Sequence, residues 1–171
     1  MDDLEPVYHN CWNDPDVWKW TNYAPMHSIE DVTGAAGMFT EHWLGAYERP
    51  DRYSWAIQLK STGEVIGRLF GMHPDDTLGQ IELTYELGQA WWNQGLMSEA
   101  VKAVIDFFFS QVGYRRIYAY HASGNPASGK VMQKCGMTYE GTLPQACTCN
   151  CGIFDKVNYA IDIQNYSPVS R

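Results

Sequence analysis

The sequence predicts a mixed α/β fold in the α+β sense, a central sheet with helices on its faces. Three observations carry this. Hydrophobic periodicity switches between the helical and strand values along the chain in the order helix, helix, three strands, helix, strand, helix, two strands. One strand runs through a glycine turn directly into the longest helical stripe. The composition, 45% hydrophobic and 14% aromatic with 19% charged residues, is that of a packed protein and excludes disorder for most of the chain. At 171 residues the chain fits a single domain spanning residues 1–171, one that buries about 70% of the surface its unfolded form exposes.

Leu4 to Trp12 is a short helical segment ending before Asn13-Asp14-Pro15-Asp16, where proline after aspartate favours a turn or a new helix start. Trp18 to Pro25 reads as a loop. Ser28 can cap a helix with a carboxylate three residues on, and Val32, Ala36, Phe39, Trp43 and Tyr47 recur at helical spacing to about Glu48.

Tyr53 to Leu59 and Val65 to Met72 read as a hairpin joined by Lys60-Ser61-Thr62-Gly63-Glu64. Gln80 to Leu87 is a third strand, placing Ile81, Leu83, Tyr85 and Leu87 on one face and Glu82, Thr84 and Glu86 on an acidic other face. From Gly95 a helix carries Met97, Val101, Val104, Ile105, Phe108 and Phe109 as an apolar stripe that stops near Gly113.

Arg116 to His121 returns to strand. Asn125 as cap and Pro126 at the first position open the next helix, which ends at Cys135-Gly136. Two strands, about Met137 to Leu143 and Phe154 to Ile163, flank a Cys- and Gly-containing connection, and the tail from Asn165 is expected to fray.

Twelve Lys and Arg against 20 Asp and Glu give a net charge of −8, which repels nucleic acid and anionic lipid and suits a cationic partner such as an amine. The acidic, proline-broken N-terminus does not read as a secretory signal, and no apolar run approaches the roughly 18 residues needed to span a bilayer. A cytoplasmic protein without membrane or nucleic-acid partners is expected. The five cysteines, at 11, 135, 147, 149 and 151, are expected as free thiols. Cys147, Cys149 and Cys151 alternate and so share a strand face, but they supply only three local thiols, and no metal site is expected. The five histidines are scattered and read as structural or solvated. Trp91 and Trp92 read as packing around the glycine turn, and Trp20, Trp43 and Trp55 as core residues more readily than as walls of a pocket.

A strand entering a glycine turn and a helix collects unpaired N–H groups and the positive end of the helix dipole at one point, a place for a phosphate group or for nothing more than a tight turn. The segment Trp92-Asn93-Gln94-Gly95-Leu96-Met97-Ser98-Glu99-Ala100 resembles the pyrophosphate loop of the GNAT N-acetyltransferase superfamily, in the form used by the branch of the RimJ and RimL ribosomal-protein acetyltransferases. Asn125 to Met137, an Asn-x-x-Ser helix ending in Lys-Cys-Gly-Met, resembles that branch's second signature, which Tyr139 to Leu143 extends. Tyr53 to Ile57 and Gly63 to Gly67 are similar to family strands. The resemblance covers about residues 13 to 163.

It implies the GNAT acyl-CoA N-acyltransferase fold and a direct transfer of acetyl from acetyl-CoA to a primary amine, either a protein or peptide N-terminus or a small amine, with no metal. It further implies that Trp92, Asn93, Gln94, Gly95, Leu96, Met97 and Ser98 cradle the pyrophosphate. Backbone around Leu83, Tyr85 and Leu87 would hold the pantetheine arm in a splay between strands, and Asn125, Ser128 and Lys130 would complete the cofactor contacts.

For the general base the expectation is Glu82, with Glu140 second; Ser128 is expected to protonate the leaving thiolate. Many superfamily members use a tyrosine seven residues after the helix asparagine, where this chain has Met132. Members also begin with a Leu-x-Leu-Arg strand, whereas Met1 stands almost at the first helix, so the first strand is expected to be missing. Asn93 and Met97 depart from the small residues usual in the loop, and Trp92 stands at its Arg/Gln position. A homodimer is common in the family. Competing expectations are a non-catalytic acyl-CoA-binding module and an aminoglycoside or other small-amine acetyltransferase.

Overall fold

The computed structural model describes residues 4–23, 26–34 and 53–167. Its centre is a six-stranded mixed sheet. The strands are β1 (Tyr53–Gln58), β2 (Val65–Asp75), β3 (Gln80–Leu87), β4 (Arg116–Ala122), β5 (Thr138–Cys149) and β6 (Gly152–Asp162), in spatial order β1-β2-β3-β4-β6-β5. All neighbours are antiparallel except β3 and β4. That parallel pair needs a crossover, and helix α4 (Leu96–Phe107) supplies it. Among the described residues β1 forms the sheet edge, and no strand precedes it.

The N-terminal segment folds as α1 (Leu4–Val7), which continues into a π-turn over Tyr8–Trp12, and α2 (Pro15–Trp18). Asp14 caps α2 by accepting from the Asp16 N–H at 2.8 Å, with Pro15 at the first position, so the Asp-Pro pair begins a helix. Helix α3 (Ile29–Gly34) opens on the reciprocal cap expected of Ser28: its Oγ accepts from Asp31 N at 3.1 Å, and the Asp31 carboxylate accepts from Ser28 N at 3.0 Å. The remainder of the expected helix, with Trp43, lies outside the described residues.

Helix α4 buries Met97, Val101 and Ile105, and a π-turn over Phe108–Val112 then buries Phe108 and Phe109 before Gly113 ends it at φ 86°. These side chains join Ile81, Leu83 and Leu87 of β3 in the main core. Helix α5 (Pro126–Lys134) also packs there through Met132. A second cluster, from Val7, Tyr8, Cys11, Trp12, Val17, Trp18, Met26 and Val65, carries the N-terminal helices onto the sheet. No described helix is long and apolar enough to cross a membrane.

The final hairpin corrects the expected strand limits. A strand ending at Leu143 followed by a long connection is replaced by β5 running to Cys149, because the ladder resumes after a bulge between Leu143 and Cys147. Gln145 absorbs the bulge at φ 51°. Cys147 and Cys149 are therefore strand residues, and the turn is only Asn150-Cys151.

Candidate active site

The parallel ladder between β3 and β4 contains three pairs, Gln80 with Arg116, Ile81 with Ile117 and Glu82 with Tyr118. Beyond them the strands part. β3 stays paired to β2 as far as Leu87, and β4 to β6 as far as Ala122. The β4-facing backbone groups of β3 beyond Glu82 consequently have no strand partner. A cleft of about 1230 Å³ opens there, large for a small-molecule site. Leu83, Tyr85 and Leu87 line it, as does every residue expected for the cofactor except Gln94, which is exposed at the turn.

At one end of the cleft the chain turns from β3 into α4. Trp92 anchors the turn by donating its indole N–H to Leu87 O at 2.7 Å. Asn93 and Gly95 take positive φ, 62° and 84°, so the Asn that departs from the usual loop pattern occupies a conformation asparagine tolerates. The first helical backbone bond is Glu99 N to Gly95 O, and the N–H groups of Leu96, Met97 and Ser98 find no acceptor among the described residues. Three aligned donors at the start of a 12-residue helix form an anion-binding end. Met97 is buried in the core, which accounts for a large side chain in the loop.

Across the splay stands α5. Asn125 caps it, accepting from Ser128 N at 3.4 Å. Ser128 Oγ donates to Tyr85 Oη at 3.0 Å, and Tyr85 Oη donates to Ser128 O at 2.9 Å. Burial holds the Tyr85 phenol well above its ordinary pKa, keeping it protonated. Gly129 lets the helix approach β4: a Cβ there would lie 2.5 Å from His121 Nε2. His121 Nδ1 donates to Ala122 O at 2.7 Å. Lys130 is exposed at the rim.

Glu82 lines the cleft where the strands separate, half-buried. Burial raises its pKa, against a smaller opposing pull from His73 and Lys156. Glu140 is elsewhere. It ion-pairs with Arg116, which also reaches Asp162 at 3.2 Å, and it lines a separate hollow of about 280 Å³. The structure thus brings Glu82, Tyr85, Asn125 and Ser128 around one cleft and leaves Glu140 out, because β5 pairs its start with the inner end of β6 beside Arg116.

Several cleft residues carry no local sequence signal. Arg68 and Glu86 form a buried two-pronged ion pair, Nε to Oε2 at 2.9 Å and Nη2 to Oε1 at 3.0 Å, and Trp12 Nε1 donates to the same carboxylate at 3.1 Å. The Arg68 guanidinium lies over Trp12 at 4.9 Å and Phe70 at 4.7 Å. Trp20 lines the cleft, whereas Trp55 packs on Tyr53, Phe107 and Phe108. Cys147 and Cys149 also line it, their Sγ atoms 3.7 Å apart, and burial with the neighbouring thiol pushes Cys149 up to about 12. No group of metal-binding side chains occurs among the described residues.

The family described as acetyltransferase (GNAT) domain matches residues 1–138. The chain is 32% identical over 132 residues to the uncharacterized N-acetyltransferase p20 of Bacillus licheniformis, covering 77% of this chain and 72% of that protein. It superposes on a GNAT-family acetyltransferase of Bacillus anthracis with a TM-score of 0.78 at 25% identity, over 94% of this chain and 89% of the other. A ribosomal-protein-S5-alanine acetyltransferase of Vibrio fischeri gives a TM-score of 0.80 over 97% and 89% of the two chains, and at 17% identity that likeness concerns the fold alone. A sheet split between β3 and β4, with a donor-rich helix start at the mouth of the split, accords with these matches, and the chain belongs to the GNAT acetyltransferase family.

Proposed function

We propose that this protein transfers the acetyl group of acetyl-CoA directly to a primary amine within a ternary complex. The observation that carries the proposal is the cleft itself, bounded at one end by the free N–H groups of Leu96, Met97 and Ser98 and flanked at the strand divergence by Glu82 and Ser128. In this reading the turn from Trp92 to Ser98 holds the pyrophosphate, with Lys130 adding charge at the rim. The unpartnered backbone of β3 from Leu83 to Leu87 pairs with the pantetheine amides, as an added strand would, and Asn125 bonds the same arm.

Glu82 accepts the proton of the acceptor ammonium, for which a carboxylate of raised pKa is suited. The freed nitrogen forms a bond to the acetyl carbon as the carbon–sulfur bond breaks. Ser128 turns its hydroxyl from Tyr85 Oη to the departing sulfur and gives the thiolate that proton, and the second proton, shed by the nitrogen as it becomes an amide, restores the serine hydroxyl. Products are the N-acetyl amine and the free thiol of coenzyme A. The Asn-x-x-Ser and Lys-Cys-Gly-Met motifs support placement near the RimJ and RimL branch, which makes a peptide N-terminus one acceptor to assay.

Thiol release from acetyl-CoA across a panel of amines, together with acetyl-CoA binding by calorimetry, tests the proposal. Amine-dependent release with a matching acetylated product is the expected result. Tight acetyl-CoA binding with no release for any amine would instead identify a non-catalytic acyl-CoA-binding module.

A further inference from the structure

Each transfer leaves a proton to dispose of. An ammonium acceptor and acetyl-CoA become an N-acetyl amine, the thiol of coenzyme A and one proton, and in the reading above that proton rests on Glu82. Glu82 is half-buried, and it cannot accept again until the proton has gone.

The groups that act electrostatically with this carboxylate come from four segments: Tyr118 and Tyr120 from β4, Lys156 from β6, Tyr23 from the segment after α2, and His73 from β2. Burial holds the three phenols above their ordinary pKa, Tyr120 up to about 12, so they stay protonated and take no further proton. Lys156, whose Nζ lies 3.8 Å from the Tyr120 ring centroid, has donors only. Imidazole is the side chain that takes and returns protons near neutral pH. His73 makes no hydrogen bond or ion pair among the described residues, so neither ring nitrogen is engaged there.

The backbone places His73 beside Glu82 by breaking the strand pattern. Met72 is paired with Glu82 and shares its face, and regular alternation would send residue 73 to the other face. The β2–β3 ladder instead shifts between Met72 and Asp75, and His73, immediately before Pro74, takes φ 51°. L residues avoid that left-handed conformation, and a following proline favours an extended one. Met72, His73 and Glu82 consequently line the same cleft, with His73 exposed to solvent. Bulges recur beside active sites, where they re-aim a side chain.

Resting on the acetyl-transfer reading above, we infer that His73 relays the proton from Glu82 to solvent after each transfer, acting through Glu82 without touching the acceptor. The Glu82 carboxyl gives its proton to a ring nitrogen, and the imidazolium releases one to water, so both groups return to their starting state.

The test measures kcat in weakly buffered solution for the wild type, His73→Asn and His73→Gly. Acetyl-CoA is saturating, and the acceptor is whichever of spermidine, 2-phenylethylamine and an alanine-led hexapeptide is acetylated fastest. Asparagine and glycine both accept the left-handed backbone, so the bulge survives in each variant. Both variants should lose about tenfold in kcat with KM for acetyl-CoA unchanged. Added imidazole should restore their kcat saturably and leave the wild type unaltered. Wild-type kcat in either variant overturns the inference, and so does a loss that imidazole leaves in place, which would mark a structural role. Failure of every amine with the wild type, acetyl-CoA being bound, overturns the transfer reading and this inference with it.

Discussion

Tyr85 and Ser128 are joined by two hydrogen bonds across the divergence of the sheet, the serine hydroxyl donating to the phenol and the phenol to the serine carbonyl. The pair fixes α5 relative to β3 at the wall of the cleft, which both residues line. If Ser128 delivers the proton to the thiolate, Ser128→Ala should lower kcat by about 10²-fold with KM for acetyl-CoA little changed. Tyr85→Phe removes the bonds that orient Ser128, so it should lower kcat as well. The two act as one unit, and the double variant should be scarcely slower than the worse single one, as steady-state kinetics on the four proteins would show.

Glu82 offers a prediction in pH. Burial raises its pKa above the ordinary glutamate value of 4.5, so the acidic limb of kcat/KM should lie above that value and disappear in Glu82→Gln, with activity down about 10²-fold. The sign for stability follows from linkage. A carboxyl whose folded pKa is raised binds more protons folded than unfolded, so stability falls as pH rises from the unfolded to the folded pKa and stays lower above it. Glu82→Gln should therefore melt higher than the wild type at neutral pH, and the difference should shrink below the unfolded pKa. Thermal melts across pH would measure it.

The split site was partly legible because some of its signals are local. Gly95, Gly113, Gly136 and the Asn125-Pro126 pair mark helix ends by backbone geometry that only a few residues satisfy, and α4 and α5 lie where these residues put them. Illegible features depend on partners distant in the chain. Arg68 and Glu86 are 18 residues apart, Trp12 and Glu86 74, and Asn150 and Trp18 132. Glu140 lies apart from the cleft, because its place after the α5 signature says nothing about register, which sets it beside Arg116. The Cys- and Gly-containing connection read as a break between strands, and the bulge between Leu143 and Cys147 lets the strand resume.

The Arg68–Glu86 pair is buried, with side chains 7% and 6% exposed, and two bonds join the guanidinium to the carboxylate. Arg68→Met would leave the buried Glu86 carboxylate without this cation, and Glu86→Gln would remove the charge of the two-pronged pair, each destabilising by about 3–5 kcal/mol. Replacing both together, Arg68→Met with Glu86→Leu, removes the unpaired charge and should recover most of the loss. Urea denaturation of the three variants would show this non-additivity; additive losses would contradict it.

Gly95 and Gly113 terminate the two ends of the α4 segment at nearly the same dihedral, φ 84° and 86°, and a Cβ at either meets nothing within 4 Å. Alanine at each therefore acts through backbone strain alone, about 1–2 kcal/mol for a left-handed residue. Only Gly95 borders the cleft. Both substitutions should lower the melting temperature comparably, yet Gly95→Ala alone should raise KM for acetyl-CoA, because the strained turn no longer presents the N–H groups of Leu96 to Ser98 together. KM for the amine should move in neither variant. Equal KM effects from the two would mean that the loss reflects general destabilisation of α4, and the anion-binding role of the turn would fall.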